Sequence, residues 1–418
     1  MPAKFRHTII TNRNIMKSLI FALVLMYPLY ITAQSAEEIQ QHAAKVETER
    51  VALWKDGRFK DAAALLKKEL LYFSSLNSDT RALYNSYNYG TLYNIACAYS
   101  QAGISDSAIA YLDKSVEAGF SDFTNASADP DLFNIRNDAR FKKTLASIRE
   151  KGDYDYILKK YGAYEKSSNP APRFTYQSPD TKGLVNLRTK YNLDSVAGNG
   201  NEISRFINLM KWVHNSVKHD GGSTNPIIKT ADALIQVCKK TDRGVNCRMM
   251  ATILNEVYLS MGYKSRFITC MPKGEKFDDC HVINEVYSNT LKKWLWMDPT
   301  FETVVTDGEG NLLSIRETRY RLVNNLPVKA SDEINWNGAP YSGGGDKYLH
   351  SYMTKNLFRF SIPLNSCQAF ENRPASERVY LDLYPVGYNP TNVQLDKITN
   401  NNYYTTDDEQ FWAGPVKD

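Results

Sequence analysis

The sequence predicts a multi-domain chain: an all-α N-terminal region of helical repeats, an α+β domain with an antiparallel sheet, and a β-rich C-terminal extension. Three observations predict it. Residues 36–160 carry apolar residues at helical spacing, punctuated by glycines. Residues 181–341 alternate helical and strand patterns. Residues 346–418 are rich in Tyr, Asn and Pro, with strand-like pieces at Leu357–Ile362 and Arg378–Leu383. A chain of 418 residues is long enough for two or three domains, each with its own core. Hydrophobic content of 43% with 23% charge excludes a disordered or wholly membrane-embedded chain.

The N-terminus reads as a targeting segment. Lys4, Arg6, Arg13 and Lys17 precede the apolar stretch Leu19–Ile31, and Ile31-Thr32-Ala33 offers small residues for cleavage. The apolar run is shorter than a bilayer requires and contains Pro28, so a signal peptide over 1–33 is expected rather than a retained membrane span. Removing its four positive and no negative charges takes the formal +5 to about +1. No basic footprint for nucleic acid remains. Export places the mature chain in a periplasm or outside the cell, where disulfides are permitted.

Ala36–Trp54 is rich in Ala, Glu and Gln and ends at Asp56-Gly57; a second helix opens at Phe59 and runs to about Phe73. Tyr93–Tyr99, ending at Gly103, and Asp106–Leu112, leading to Gly119, repeat the arrangement. The two units resemble tetratricopeptide repeats, with an insertion around Leu76–Tyr87 in the first and a closing piece at 129–148. A plain helical bundle is the alternative. The domain is expected over 36–165, with a possible protein partner on its concave face. Ser167–Pro179, with three prolines, reads as part of a linker over 166–180.

Six cysteines stand at 97, 238, 247, 270, 280 and 367, with no CxxC and no zinc spacing, so metals and cofactors are not expected. Cys97 lies in a helical apolar pattern and reads as packing. Cys247, in RGVNCRMMA, lies between Gly244 and an apolar helical run that stops at Gly262. Taken alone it could be packing, half of a disulfide, or a nucleophile. At a first helical turn, open N–H groups and the helix dipole favour a thiolate and can stabilise an oxyanion. Gly244 lets the preceding chain approach closely.

A thiolate needs an imidazole partner. HVINEVY (281–287) reads as a strand beginning at His281, and KKWLWMDPT (292–300) as another carrying Asp298 before Pro299. A hairpin centred on Asn289–Thr290 would set His281 directly opposite Asp298, where the carboxylate could orient the imidazole. Alone, His281 is more often structural and Asp298 a turn former. His214 and His219-Asp220 read as surface or loop residues. Cys270 and Cys280 could bridge the loop between them or remain reduced.

With these residues in place, Ile203–Phe301 resembles the transglutaminase-like superfamily of papain-like cysteine enzymes. The matching pieces are Lys211-Trp212-Val213, the Gly-x-x-Cys of Gly244–Cys247, Gly262–Phe267, His281 with Glu285-Val286-Tyr287, and Trp296–Thr300. The resemblance implies Cys247 as nucleophile, His281 as general acid/base and Asp298 as orienting carboxylate, in a domain spanning 181–341. Two departures stand beside the sulfur: Asn246 lengthens the usual Gly-x-Cys, and Arg248 replaces a small residue. Trp212 reads as core packing, with an oxyanion donor as the alternative some related enzymes suggest.

The expected function is an exported cysteine enzyme that cleaves or transfers amide bonds of a protein or peptide substrate through a thioester. Hydrolysis of peptide or isopeptide bonds leads and transamidation follows. The competing reading is a catalytically inert transglutaminase-like domain within a repeat-containing binding module. Separation of Cys247 from His281, with a filled cleft, would favour it.

Overall fold

The computed structural model describes residues 33–167, 172–274, 280–388 and 402–416. The expected leader lies outside this set except for Ala33, where the first described helix begins. The chain divides into two compact units, residues 1–157 and 158–418.

The first unit is helical. Ala33–Lys55 and Phe59–Ser75 turn at Gly57, and Asn85–Gln101 and Ser105–Glu117 turn at Gly103; both glycines adopt positive φ, which a side chain would oppose. The expected insertion is a short helix, Ser78–Leu83, capped by Asn77. A closing segment follows: a 3₁₀ turn over Pro130–Ile135, then Ala139–Gly152. Cys97 packs with Ile109, Leu112, Phe120 and Leu132, and its sulfur lies 3.8 Å from an Asp129 carboxylate oxygen. Apolar stripes on these short helices are buried against neighbouring helices, which supplies most of their stability.

The second unit is built on a six-stranded sheet. Its order is Tyr403–Thr405, Tyr380–Leu383, Arg359–Pro363, Ser265–Met271, His281–Ser288, Lys293–Met297. The sheet is mixed rather than antiparallel, because Tyr380–Leu383 and Tyr403–Thr405 pair in parallel. The expected C-terminal extension thus contributes to the main sheet: Arg359–Pro363 lies inside it, against Ser265–Met271. The stretch expected as a linker also joins the unit, pairing Thr175–Tyr176 in parallel with Asn365–Ser366.

Apolar side chains cover both sheet faces. Ile268, Ile283, Trp296 and Phe360 face one core; Val286, Leu295 and Met297 face another beneath the helices. The Cys247–Ser260 helix is buried along its whole length from Met249 onward. A helix buried on every side must be enclosed by other elements, and this one has Glu202–Ser216, Ala231–Thr241 and the sheet around it. Its buried polar groups are paired. Asn255 donates to Ser366, and the Glu256 carboxylate accepts the Ala231 and Ala369 N–H groups at 2.9 Å each. Burial holds the Glu256 carboxyl above its ordinary range, at about 7.

Among the described residues no helix is long and apolar enough to cross a membrane.

Candidate active site

The site begins with a helix terminus. Cys247 is the first residue of the Cys247–Ser260 helix, and Asn246 caps it: the Asn246 side chain accepts the Met249 N–H at 3.1 Å. The extra residue of Gly-Val-Asn-Cys thus supplies the cap. With Met249 and Met250 bonded back to Asn246, the Cys247 and Arg248 N–H groups stay open among the described residues, at the positive end of the helix dipole.

Arg248 does not crowd the sulfur. Its guanidinium turns to Thr269 Oγ1 at 2.8 Å and Glu371 Oε1 at 3.2 Å, over the Phe267 ring. This corrects the expectation that Arg248 sits against the reactive atom. An arginine at the second helical position points round the helix, here toward strand and C-terminal partners.

His281 opens its strand and is 1% exposed. The hairpin that carries it differs from expectation. Ser288 pairs with Lys293, so the centre falls at Thr290–Leu291, one residue later. Two features set that register: Lys292 takes a positive φ of 56°, and the Glu202 carboxylate binds Ser288 Oγ and the N–H groups of Asn289 and Thr290. The ladder extended by one pair places Asp298 opposite Ile283, so His281 is its diagonal neighbour on the same face. The side chains still meet: His281 Nε2 donates to Asp298 Oδ2 at 2.7 Å.

Asp298 is fully buried and saturated with donors. Tyr348 O–H donates to Oδ2 at 2.6 Å, and the Thr300 and Phe301 N–H groups donate to Oδ1 at 2.8 and 3.3 Å. One carboxylate oxygen thus takes the backbone N–H groups of the turn, and the other takes the imidazole and the tyrosine hydroxyl. Nothing in the local sequence around Tyr348 signals this contact, which comes from the expected β-rich extension.

With Nε2 engaged, His281 Nδ1 is buried with no hydrogen-bond partner of its own, and the ring lies close enough to the Cys247 sulfur for each to shift the other's ionisation. The electrostatics follow. Burial opposes ionisation of the thiol, but hydrogen bonds from His219 and His281, with the His281 charge, outweigh it and lower Cys247 to about 5. Burial also opposes charge on His281, yet the Asp298 carboxylate and the sulfur raise it to about 10. Between those values the pair is a thiolate beside an imidazolium.

The second imidazole is a correction. His219 is no bystander in a loop: it stands on a two-residue strand paired with Gly244–Val245, where it helps lower the Cys247 thiol. His214 is no surface residue either. It is 5% exposed, and its Nδ1 lies 2.9 Å from the Pro299 carbonyl oxygen. Trp212 packs edge-on against Tyr191 within the helical core. Cys270 is buried and unbridged, so no disulfide closes the loop toward Cys280. Among the described residues no three His, Cys, Asp or Glu side chains gather in a group that could hold a metal.

The comparisons bear on the same region. No curated protein matches the chain. A solved structure described as a "Putative Cysteine Protease from Cytophaga hutchinsonii" aligns at 18% identity over 38% of this chain and 51% of that one, about half its length. Its TM-score of 0.22 is too low to argue from. Residues 189–299, which contain Cys247, His281 and Asp298, match the transglutaminase-like superfamily.

Proposed function

We propose that the chain is a cysteine enzyme acting on amide bonds, with Cys247 as nucleophile, His281 as general acid/base and Asp298 as the orienting carboxylate. The observation that carries this reading is the arrangement of the three groups: a sulfur at a helix N-terminus, an imidazole beside it whose charge favours the thiolate, and a buried carboxylate holding the imidazole Nε2 at 2.7 Å. The Cys247 thiolate adds to a carbonyl carbon, and the open Cys247 N–H faces the developing oxyanion. His281 gives its proton to the departing amine, leaving a thioester that water or a second amine resolves.

Peptide or isopeptide hydrolysis is the leading reaction and transamidation the second. The proposal extends to the rest of the chain. Residues 1–33 serve as an export leader, the enzyme works in a periplasm or outside the cell, and the N-terminal helix pairs act as tetratricopeptide-like repeats that bind a protein partner.

The test is covalent labelling of the full mature chain with an electrophilic thiol probe at neutral pH. Labelling at Cys247, lost in Cys247→Ala, supports the reading. Label carried wholly by another cysteine sinks it.

A further inference from the structure

We propose that His219 is a second catalytic imidazole, working as a neutral donor whose Nε2–H holds the Cys247 sulfur and then the oxyanion formed when that sulfur adds to a carbonyl. This rests on the reading of Cys247 as the nucleophile.

The backbone brings His219 to the sulfur by close approach. Lys218–His219 and Gly244–Val245 form a parallel ladder in which His219 faces Val245, two residues ahead of Cys247. The Asp220 N–H extends it, donating to the Val245 carbonyl at 2.8 Å. Position 244 admits no side chain: a Cβ there would lie 2.6 Å from Asp220 Cβ and 2.8 Å from the Lys218 carbonyl oxygen. The glycine of Gly-Val-Asn-Cys therefore has a specific use, which is to let the His219 strand lie against the nucleophile loop.

The other side of His219 is held by a hairpin, Asn335–Trp336 paired with Ala339–Pro340. Its two turn residues, Asn337 and Gly338, adopt φ values of 55° and 84°, as a type I′ turn requires. From that turn Asn337 binds both backbone groups of His219, accepting its N–H at 2.7 Å and donating to its carbonyl at 2.8 Å. The Trp336 Nε1–H donates to His219 Nδ1 at 3.3 Å. An N–H aimed at Nδ1 needs a lone pair there, so the ring proton resides on Nε2. The other ring nitrogen is then a donor, and the ladder brings the ring beside the nucleophile loop, where it favours the Cys247 thiolate.

The chemistry balances without a proton leaving His219. As the sulfur–carbon bond forms, the carbonyl π pair moves onto oxygen, and two donors converge there: the Cys247 N–H and the His219 Nε2–H. The pair returns as the carbon–nitrogen bond breaks, with the amine taking its proton from His281. Water then adds to the thioester, His281 removes its proton, and the thiolate departs. Trp336 is a positioning residue in this scheme, fixing the tautomer of His219.

Two reagents separate the roles. Iodoacetamide alkylates a thiolate without forming an oxyanion, whereas p-nitrophenyl acetate acylates it through one. Both rates are measured at Cys247 in the full mature chain, at a pH where alkylation of each variant has reached its plateau. His219→Ala is expected to slow acylation by about 10²-fold while alkylation stays within about threefold, the signature of a lost oxyanion donor. His219→Gln, which keeps an N–H donor, is expected to recover most of the acylation rate. Unchanged acylation in His219→Ala overturns the proposal. So does an equal loss in both reactions, which marks structural support alone, or a His219→Gln variant no faster than His219→Ala. These outcomes leave the nucleophile reading standing. That reading fails, and the proposal with it, if wild-type Cys247 is not acylated or if Cys247→Ala is acylated equally.

Discussion

His281 and His219 approach the same sulfur from different parts of the fold, and their supports differ in kind. His281 stands at the start of a central strand, buried, with a carboxylate behind it that is itself fixed by Tyr348 and two backbone N–H groups. His219 is half-exposed on a two-residue strand, with an indole N–H behind it and an asparagine clamping its backbone. A carboxylate behind an imidazole stabilises the ring as a cation and suits it to give and take protons. An N–H behind an imidazole requires the neutral ring and leaves it a fixed donor. Two copies of one residue type can thus be assigned different work by the group on their far side.

The largest effect should come from breaking the His281 side. Asp298→Asn keeps the shape but removes the charge, and turnover of an amide or ester substrate should fall on the order of 10³–10⁴-fold. The pH profile gives the sign. A thiol lowered to about 5 is reactive from that pH upward, and His281, raised to about 10, stays cationic until then. Alkylation of wild-type Cys247 should therefore climb through pH 5 and hold a plateau toward 10. In Asp298→Asn the climb should move upward toward the ordinary thiol range near 8.5. A profile that does not move would show that Asp298 has no hold on the pair.

Gly244→Ala attacks the other support. The added Cβ meets Asp220 Cβ at 2.6 Å and the Lys218 carbonyl at 2.8 Å, so the ladder must open. Unfolding in urea should show a loss of about 1–3 kcal/mol, the cost of overpacking. Acylation should fall more than alkylation, because the His219 strand is what moves.

Tyr348→Phe sharpens the comparison from the His281 side. Asp298 keeps three donors and loses a fourth, so stability should drop by about 1–2 kcal/mol in the same urea measurement. The alkylation profile should keep its acidic onset. An onset shifted as far as in Asp298→Asn would mean that the tyrosine, rather than the carboxylate, sets the state of His281.

Asn246→Ala touches what both imidazoles share, the helix start. Losing the cap should cost about 1 kcal/mol in urea. Acylation and alkylation should fall together and slightly. A selective fall in one would show that Asn246 acts on one imidazole rather than on the sulfur.

Local sequence exposed one half of the site better than the other. Cys247 could be placed at a helix start from Gly244 and the periodic run to Gly262, and His281 at a strand start from the alternation after it. The hairpin centre was off by one residue because its register answers to Glu202, far away in sequence, and to Lys292 at positive φ, where composition gives no hint. The partners still met, since moving the centre by one residue keeps both side chains on the same face. His219 was missed because its role depends on a parallel ladder with a segment 26 residues on, and nothing local marks a two-residue strand. Tyr348 was missed because it reaches Asp298 across 50 residues from a segment that reads as a separate β-rich extension. That segment lies within the sheet, held by non-local pairing that a single sequence does not display.

The sequence by itself determined the residue types and the local geometry they impose: a thiol at a helix N-terminus, an imidazole at a strand start, an aspartate before a proline, and helix pairs turning at Gly57 and Gly103. Periodicity, caps and turn residues act over a few positions, so they can be read without a fold. Only the tertiary structure decided which groups stand behind each imidazole, where Arg248 points, and that Asn246 is a cap rather than a lining residue. Those outcomes depend on strands paired across tens of residues and on the burial of polar groups that must find partners. Both are properties of the packed chain and not of any short stretch of it.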